Sequence, residues 1–210
     1  MKRQFVETIK IKEGKALNLA YHQARMARTF QSCFPSRRRD VPLLENVLSP
    51  APDMAFFKAR VVYGEHGIEV IQYAPYVMRE IHSLRLVTDD DIAYAFKSTD
   101  RSELNRLMAQ RGDCDDIVIV KNGLVTDTSF TNIAALIGGK WLTPRHPLLM
   151  GTQRAALLDK GILREADITP DDLMQAENVC LINAMIELGE RKVARLYARG
   201  RSFARIGELC

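Results

Sequence analysis

Two turn signals in the middle of the chain most constrain how it can fold. Asn122-Gly123 separates an apolar run at residues 117–121 from a second run at residues 124–130. An Asn-Gly pair between two such runs is the strongest short signal of a β-hairpin, because both residues accept the left-handed conformation that a two-residue turn requires. Gly138-Gly139 predicts a second hairpin across residues 132–143. Hairpins make antiparallel neighbours, so this region is predicted to be a meander.

Strands and helices precede the meander, and helices follow it. Periodicity and turn residues predict strands at residues 5–11, 55–63, 67–74 and 82–87, and helices at residues 18–34 and from Asp100 to Gly112. Asp100 and Glu103 have the spacing of a capping box, and later helices are predicted from Thr152 and from Thr169-Pro170. This order predicts an α+β architecture rather than a doubly wound sheet, with a crossing between two lobes near residues 73–76.

Composition says more about the setting of the protein than about its chemistry. With 210 residues, 47% hydrophobic and 27% charged, the chain resembles an ordinary globular protein with a substantial core. No apolar run reaches the roughly 18 residues of a membrane span and no signal-peptide core follows the start, so we expect a cytoplasmic protein. The cysteines are scattered without a Cys-x-x-Cys pair, which argues against a zinc site or a disulfide framework: Cys33, Cys114, Cys180 and Cys210.

The net charge of +4 is modest, and the basic residues form two notable groups. Such groups are usually solvated faces, so nucleic-acid binding is the less favoured interpretation, whereas an anionic small molecule would gain from the positive field. The groups are Arg37-Arg38-Arg39 and a basic tail of Arg191, Lys192, Arg195, Arg199, Arg201 and Arg205.

Lys97 is the first candidate for chemistry. Alternation over residues 90–97 predicts a strand with Ile92, Tyr94 and Phe96 on one face and two alanines beside Lys97 on the other. The small neighbours leave room for a flat molecule, and an amine at an apolar edge can have its pKa lowered by desolvation, as a Schiff-base nucleophile requires. The alternative is an edge-strand lysine that extends to water.

Two later segments complement this lysine. Gly151 and Thr152 precede a predicted helix, whose N-terminus offers unpaired N–H groups to an anion; the alternative is that Thr152 is simply the N-cap. Asp127 lies in a predicted strand rich in hydroxyl groups, where a carboxylate would hold a pyridine nitrogen protonated; the alternative is a solvent-facing aspartate after a turn.

Six segments in this order resemble the class IV aminotransferases, the fold-type IV pyridoxal-phosphate enzymes. The family includes branched-chain aminotransferases, D-amino-acid aminotransferase and 4-amino-4-deoxychorismate lyase. The resemblance covers nearly the whole chain: Phe5-Val-Glu-Thr, His22-Gln-Ala-Arg with the rest of that helix, the Lys97 segment to Arg101, residues 125–132, Thr143-Pro144 with Gly151-Thr152, and Leu181-Ile-Asn-Ala-Met.

The resemblance implies a fold and a set of roles. The expected fold has a small N-terminal α/β lobe, residues 1–74, and a larger C-terminal pseudo-barrel lobe, residues 75–210. Lys97 would bind pyridoxal 5'-phosphate covalently and later move the proton, and Asp127 would pair with the pyridine nitrogen. The remaining implied cofactor residues are Arg25, Thr152 and Asn183 for the phosphate, Gly151 for close backbone approach, and Arg101 for the cofactor hydroxyl or a substrate carboxylate.

Two departures from the family pattern matter, one for the pairing with the cofactor ring and one for the substrate side of the cleft. The family usually has Glu where this chain has Asp127, and the chain begins almost at the Phe-Glu-Thr strand. Asn183-Ala184-Met185, where aminotransferases more often have Thr or Ser, favours the lyase branch. The resemblance therefore implies a lyase that converts 4-amino-4-deoxychorismate to 4-aminobenzoate and pyruvate in folate precursor synthesis, and a homodimer.

Two rivals stay open at this point. The nearer is an aminotransferase of branched-chain or D-amino acids that uses the same cofactor and the same Lys97. The other belongs to a different class, a catalytically degenerate binding protein whose basic tail contacts RNA. Asp127 and the short N-terminus are the features that favour it.

Overall fold

The computed structural model describes residues 3–198 and 204–205. These residues form two compact units. The first unit comprises residues 3–78 and Phe96–Asp100, and the second comprises Arg79–Ala95 and the described residues from Arg101 onward. The predicted division of the chain into lobes of residues 1–74 and 75–210 stays a prediction.

Strands and helices mix in both units, which confirms the predicted α+β class. The first unit contains β1 Phe5–Lys12, β2 Lys15–Ala16, α1 Leu19–Cys33, α2 Leu44–Val47, β3 Phe56–Gly64 and β4 Gly67–Pro75. The second contains β5 Ser83–Thr88, α3 Ser102–Met108, β6 Asp116–Lys121, β7 Leu124–Thr128, β8 Asn132–Ile137, β9 Lys140–Pro144, α4 Thr152–Asp159, β10 Arg164–Ala166, α5 Pro170–Met174, β11 Asn178–Ile182, β12 Arg195–Tyr197 and β13 Ala204–Arg205. Within the described ranges, every helix is too short or too polar to cross a membrane.

The first unit is an antiparallel sheet with α1 packed on one face. Its strand order is β2-β1-β3-β4. Alternation along β1 directs Phe5, Ile9 and Ile11 into the core, where Met26 and Phe30 of α1 are fully buried. Because this face is otherwise apolar, any polar side chain on it must find its partners inside the protein.

The second unit is built on a nine-stranded mixed sheet. Its strands are ordered β10-β9-β8-β7-β6-β5-β12-β13, with β11 paired to β8 outside this path. The meander from β6 to β9 is antiparallel, as predicted. Asn122 and Gly123 have φ values of 50° and 77°, and Gly138 and Gly139 also have positive φ, so both predicted hairpin turns are confirmed.

The segment before Lys97 corrects one prediction. Residues 89–97 form no strand, and side chains hold their backbone in place of a sheet ladder. The Asp89 carboxylate accepts hydrogen bonds from the N–H groups of Asp91 and Ile92, and Lys121 Nζ donates to the Ile92 carbonyl. The predicted alternation nevertheless persists, because Ile92 is buried and Ala93 is exposed.

Helix caps give one correction and one confirmation. α3 begins at Ser102 with Arg101 as its N-cap and no side-chain capping bond, so the predicted capping box of Asp100 and Glu103 is wrong. The helix start lies two residues later than the pattern indicated. At α5 the Thr169 side chain accepts from the Asp172 N–H and Asp172 accepts from the Thr169 N–H, which confirms the predicted capped start.

Candidate active site

A fully buried ion pair occupies the core face of the first unit. Arg25 donates from Nε to Glu7 Oε1 at 2.9 Å and from Nη2 to Glu7 Oε2 at 2.5 Å. His22 Nδ1 contacts the same Oε2 at 2.5 Å. Glu7 and His22 have no solvent exposure and Arg25 has 6%. The carboxylate is therefore enclosed by a guanidinium and an imidazole.

The positions of these residues follow from strand and helix periodicity. Glu7 lies between Phe5 and Ile9 on the inward face of β1, and His22 and Arg25 lie three residues apart on the buried face of α1. Replacing a buried ion pair by apolar residues of similar volume is often neutral or stabilising. A polar cluster at positions that suit hydrophobic side chains therefore indicates a functional requirement.

The electrostatics of the cluster are set by burial and charge together. Burial alone would raise the pKa of Glu7, but the charge of Arg25 and the contacts with His22 and Arg25 lower that pKa to about 2. Burial lowers the pKa of His22, Glu7 opposes this, and the charges of Arg25 and Lys97 lower it further. At neutral pH the imidazole is uncharged and donates its Nδ1–H to the carboxylate.

Lys97 belongs to the same unit as this cluster. Its carbonyl accepts a hydrogen bond from the Val6 N–H at 2.9 Å, and Ser98 forms a bridge with Phe5. The short segment at residues 97–99 is thereby attached to the beginning of β1. The Lys97 side chain is half-buried, and its charge acts on the His22 imidazole.

Asp127 is the corresponding buried carboxylate of the second unit. Its exposed fraction is 4%, so it is not the solvent-facing aspartate of the alternative interpretation. Asn132 Nδ2 donates to Oδ1 at 2.8 Å, and the Leu149 N–H donates to Oδ2 at 2.8 Å. Burial raises the pKa of Asp127 to about 7, although both donors and the charge of Arg154 favour the ionised form.

The helix start predicted at Thr152 lies beside this carboxylate's partners. Gly151 is the N-cap of α4 and Thr152 is its first helical residue, so Thr152 is not the N-cap of the simpler alternative. A Cβ atom on residue 151 would lie 1.8 Å from Asn132 Oδ1, a distance that no packing can accept. Position 151 therefore requires glycine because of this close approach.

Arg101 and Asn183 both hold the turn that follows Asp127. Arg101 Nη2 donates to the Ser129 carbonyl at 2.8 Å. Asn183 Oδ1 accepts from the N–H groups of Met185 and Ile186, and Asn183 Nδ2 contacts the Phe130 carbonyl at 3.4 Å. These two side chains fix the backbone between β7 and β8.

The predicted site residues thus fall into two groups. Arg25 and Lys97 lie in the first unit, and Asp127, Gly151, Thr152, Arg101 and Asn183 lie in the second. Sequence reasoning assigned no role to Glu7, His22 or Asn132, although all three lie in the segments that carry the family resemblance. For Glu7 a signal was present, since a charged residue stands at a core-facing position of an otherwise apolar strand pattern.

Replacing Glu7 with Gln is expected to destabilise the protein in a pH-dependent way. The folded-state pKa lies below the unfolded one, so the ionised carboxylate stabilises the fold above about pH 4.5, and this stabilisation is lost as the pH falls towards 2. The loss at pH 7 should be about 3 kcal/mol, measured by urea unfolding at a series of pH values. Replacement of the exposed Glu65 with Gln is the control, and a pH-independent difference for Glu7→Gln would contradict the assignment.

Asp127 is expected to show the opposite pH dependence in the cofactor-free protein. Its folded-state pKa is raised, so the wild type should lose stability relative to Asp127→Asn as the pH rises from about 4 to 7, with no further change above this window. The relative loss should be up to about 4 kcal/mol in urea unfolding. The exposed Asp113→Asn variant serves as the control, and parallel curves for wild type and Asp127→Asn would exclude the raised pKa.

Comparison with known proteins identifies the family. The sequence model of the family described as "Amino-transferase class IV" matches residues 68–191. An "Uncharacterized protein" of Haemophilus influenzae is 38% identical over 181 residues, covering 85% of this chain and 96% of its own length. A "Putative aminodeoxychorismate lyase" of Schizosaccharomyces pombe is 31% identical over 193 residues, covering 82% of both chains.

Solved structures agree with this match. The crystal structure of a "putative 4-amino-4-deoxychorismate lyase" from Haemophilus somnus 129pt is 33% identical, with a TM-score of 0.78 over 90% of this chain and 99% of that one. A "Putative amino-acid aminotransferase" from Mesorhizobium loti shares the fold, with 23% identity and a TM-score of 0.73 over 93% of this chain and 99% of that one. On these similarities and on the family match, the chain belongs to the class IV aminotransferases.

Proposed function

We propose that this chain is a lyase that converts 4-amino-4-deoxychorismate to 4-aminobenzoate and pyruvate. Pyridoxal 5'-phosphate is the cofactor of this class IV aminotransferase. The observation that carries the finer assignment is the name shared by two relatives above 30% identity, from Schizosaccharomyces pombe and Haemophilus somnus, each matched over at least 82% of this chain. The Asn183-Ala184-Met185 sequence supports the same branch.

The residues present fit this cofactor. α4 begins at Thr152 directly after Gly151, and a helix N-terminus offers unpaired N–H groups and a partial positive charge to a phosphate. Asp127 is a buried carboxylate, the partner that a pyridine nitrogen needs. Arg25 has five N–H donors, more than the two that donate to Glu7, and a guanidinium suits binding of phosphate oxygens.

The proposed roles of these residues are those that the family resemblance implies. Arg25, Thr152 and Asn183 bind the phosphate, and Gly151 allows the backbone to come close. Asp127 pairs with the ring nitrogen, and Arg101 orients the cofactor hydroxyl or a substrate carboxylate. When bound, pyridoxal 5'-phosphate withdraws electrons from the carbon that carries the substrate amine.

Lys97 has the central role in this proposal. Its amine would hold the cofactor, and the same amine would take the proton from the amine-bearing carbon of the substrate. The bond from the ring to the enolpyruvyl oxygen then breaks, the ring becomes aromatic, and the proton passes to the methylene carbon of the departing group to give pyruvate. All atoms of the substrate appear in the two products, so neither water nor a second keto acid is consumed. A positioned general base of this kind typically contributes about 10²- to 10⁴-fold.

An aminotransferase is the second candidate, supported by the name of the family model that matches the chain. It would use the same Lys97 and pass the amino group to a second keto acid. For the RNA-binding alternative, Arg199 and Arg201 of the basic tail lie outside the described residues. The homodimer and the cytoplasmic location stay predictions.

Replacing Lys97 with Ala is expected to abolish covalent cofactor attachment. Borohydride treatment of the wild type loaded with pyridoxal 5'-phosphate should add the reduced cofactor to the peptide that contains Lys97, detected by mass spectrometry. Lys97→Ala should gain no such mass and should lose at least about 10²-fold in activity. The exposed Lys140→Ala variant is the control, and modification of a different lysine in the wild type would overturn the assignment.

Product analysis should separate lyase from aminotransferase. With 4-amino-4-deoxychorismate alone, the purified protein loaded with cofactor is expected to release 4-aminobenzoate and pyruvate in equal amounts, measured by chromatography and by a coupled pyruvate assay. Addition of 2-oxoglutarate should change neither rate nor yield. No product without a keto acid, together with amino-group transfer from a panel of amino acids, would favour the aminotransferase instead.

A further inference from the structure

Asn132 stands directly across the sheet from Asp127. The two are paired residues of β7 and β8, joined by a tight turn in which the Thr128 N–H donates to the Thr131 carbonyl at 2.9 Å. Directly opposed side chains on one face of an antiparallel pair are close enough to interact. The register of this hairpin therefore brings the amide of Asn132 to the carboxylate of Asp127.

The amide group closes a ring of hydrogen bonds around that carboxylate. Asn132 Nδ2 donates to Asp127 Oδ1 at 2.8 Å and to the Leu149 carbonyl at 2.9 Å, while the Leu149 N–H donates to Asp127 Oδ2 at 2.8 Å. Each carboxylate oxygen thus accepts from a donor, and one hydrogen bond joins the two donor residues, Asn132 and Leu149. The Leu148 N–H adds a further hydrogen bond to the carboxylate. Such a closed arrangement restricts both the position and the plane of the carboxylate.

The oxygen of the same amide faces the start of α4. Asn132 Oδ1 lies 1.8 Å from the position that a Cβ on Gly151 would take, so the glycine backbone packs directly against the amide. Asn132 itself has 5% exposure. It is held between the carboxylate on one side and the beginning of the helix on the other.

The chemistry required at this position is specific to an amide. One –NH₂ group supplies two protons, which serve Asp127 and the Leu149 carbonyl together, whereas a hydroxyl supplies one and a carboxylate none. Aspartate is also one methylene shorter than the glutamate that the family usually has here, so its carboxylate stays close to the strand and depends more on neighbours that fix it.

We propose that Asn132 is a positioning residue that favours the ionised form of the Asp127 carboxylate and holds it in a single orientation, so that the site distinguishes a pyridine nitrogen from a carbon. The inference rests on the proposed function, in which Asp127 pairs with the ring nitrogen. Burial raises the pKa of Asp127 to about 7 even with the Asn132 hydrogen bond, which lowers it. Without that bond the carboxylate would be neutral over more of the physiological range, and a neutral acid pairs weakly with a pyridinium.

The test measures the preference for pyridoxal 5'-phosphate over its 1-deaza analogue, which has a carbon in place of the ring nitrogen. Affinities are measured by equilibrium dialysis for the full chain, for three single variants and for the double variant Asp127→Asn, Asn132→Leu. Asn132→Leu is nearly isosteric and removes both donated bonds, and Asp127→Asn removes the charge. Thr126→Val is the matched control, because Thr126 is the buried neighbour of Asp127 in β7 and its hydroxyl donates to the Ile119 carbonyl at 2.8 Å.

Asn132→Leu is expected to reduce the preference about tenfold, the equivalent of one hydrogen bond to a charged group. Thr126→Val should leave it within about twofold, since its bond does not involve the carboxylate. In the Asp127→Asn background, Asn132→Leu should have no further effect, because a positioning residue acts only through the group it positions. Asn132→Ser, which is smaller and still polar, gives the same measurement if the leucine variant does not fold.

Three outcomes overturn the inference, and each is distinguishable from the others. If Asp127→Asn abolishes the preference while Asn132→Leu and Asn132→Ser keep it, Asn132 does not position the carboxylate and the proposed function stands. If the Asn132 variants lower the preference equally with and without the Asp127 charge, their effect is structural and the inference fails. If Asp127→Asn keeps the preference for pyridoxal 5'-phosphate over the 1-deaza analogue, Asp127 does not pair with the ring nitrogen. In that case the inference about Asn132 also fails.

Discussion

The burial of a carboxylate away from water is the constraint on which the arrangement of the second unit depends. Asp127 is almost wholly enclosed, so its oxygens must be satisfied by protein groups. They are satisfied by a side-chain amide from β8 and by a backbone N–H from the loop before α4. The strand, its neighbour and the helix start are therefore fixed relative to one another by a single side chain, and a glycine is required where the helix begins.

In the first unit, a guanidinium and an imidazole satisfy the buried carboxylate in place of amide groups. Glu7 is enclosed as completely as Asp127, but its partners are a guanidinium and an imidazole. The pKa of Glu7 falls to about 2, whereas that of Asp127 rises to about 7. The difference has a physical cause, since the Arg25 guanidinium bonded directly to Glu7 offsets desolvation, whereas the neutral donors of Asp127 and the charge of Arg154 offset it only in part. At neutral pH the Glu7 carboxylate is therefore ionised, whereas the pKa of Asp127 lies near that pH.

Much of this organisation could be predicted from local sequence patterns, and what failed depended on distant partners. The Asn122-Gly123 hairpin and the capped start at Thr169 were predicted correctly because turn and cap chemistry is contained within a few residues. The prediction of a strand before Lys97 was wrong. Alternation indicates which side chains are buried, but it does not show whether a neighbouring strand provides backbone hydrogen bonds. Asn132 was missed because its importance comes from the register of a hairpin and from Leu149, which lies 17 residues away.

The short segment Phe96–Asp100 has a consequence for how this chain can be assembled. The segment belongs to the first unit although the residues on both sides of it belong to the second. The polypeptide therefore passes between the units after residues 78, 95 and 100, and neither unit corresponds to one continuous stretch of chain. A ribosome-bound fragment that ends at residue 78 would lack part of its own first unit, including Lys97. No single break in the polypeptide can therefore separate one unit from the other.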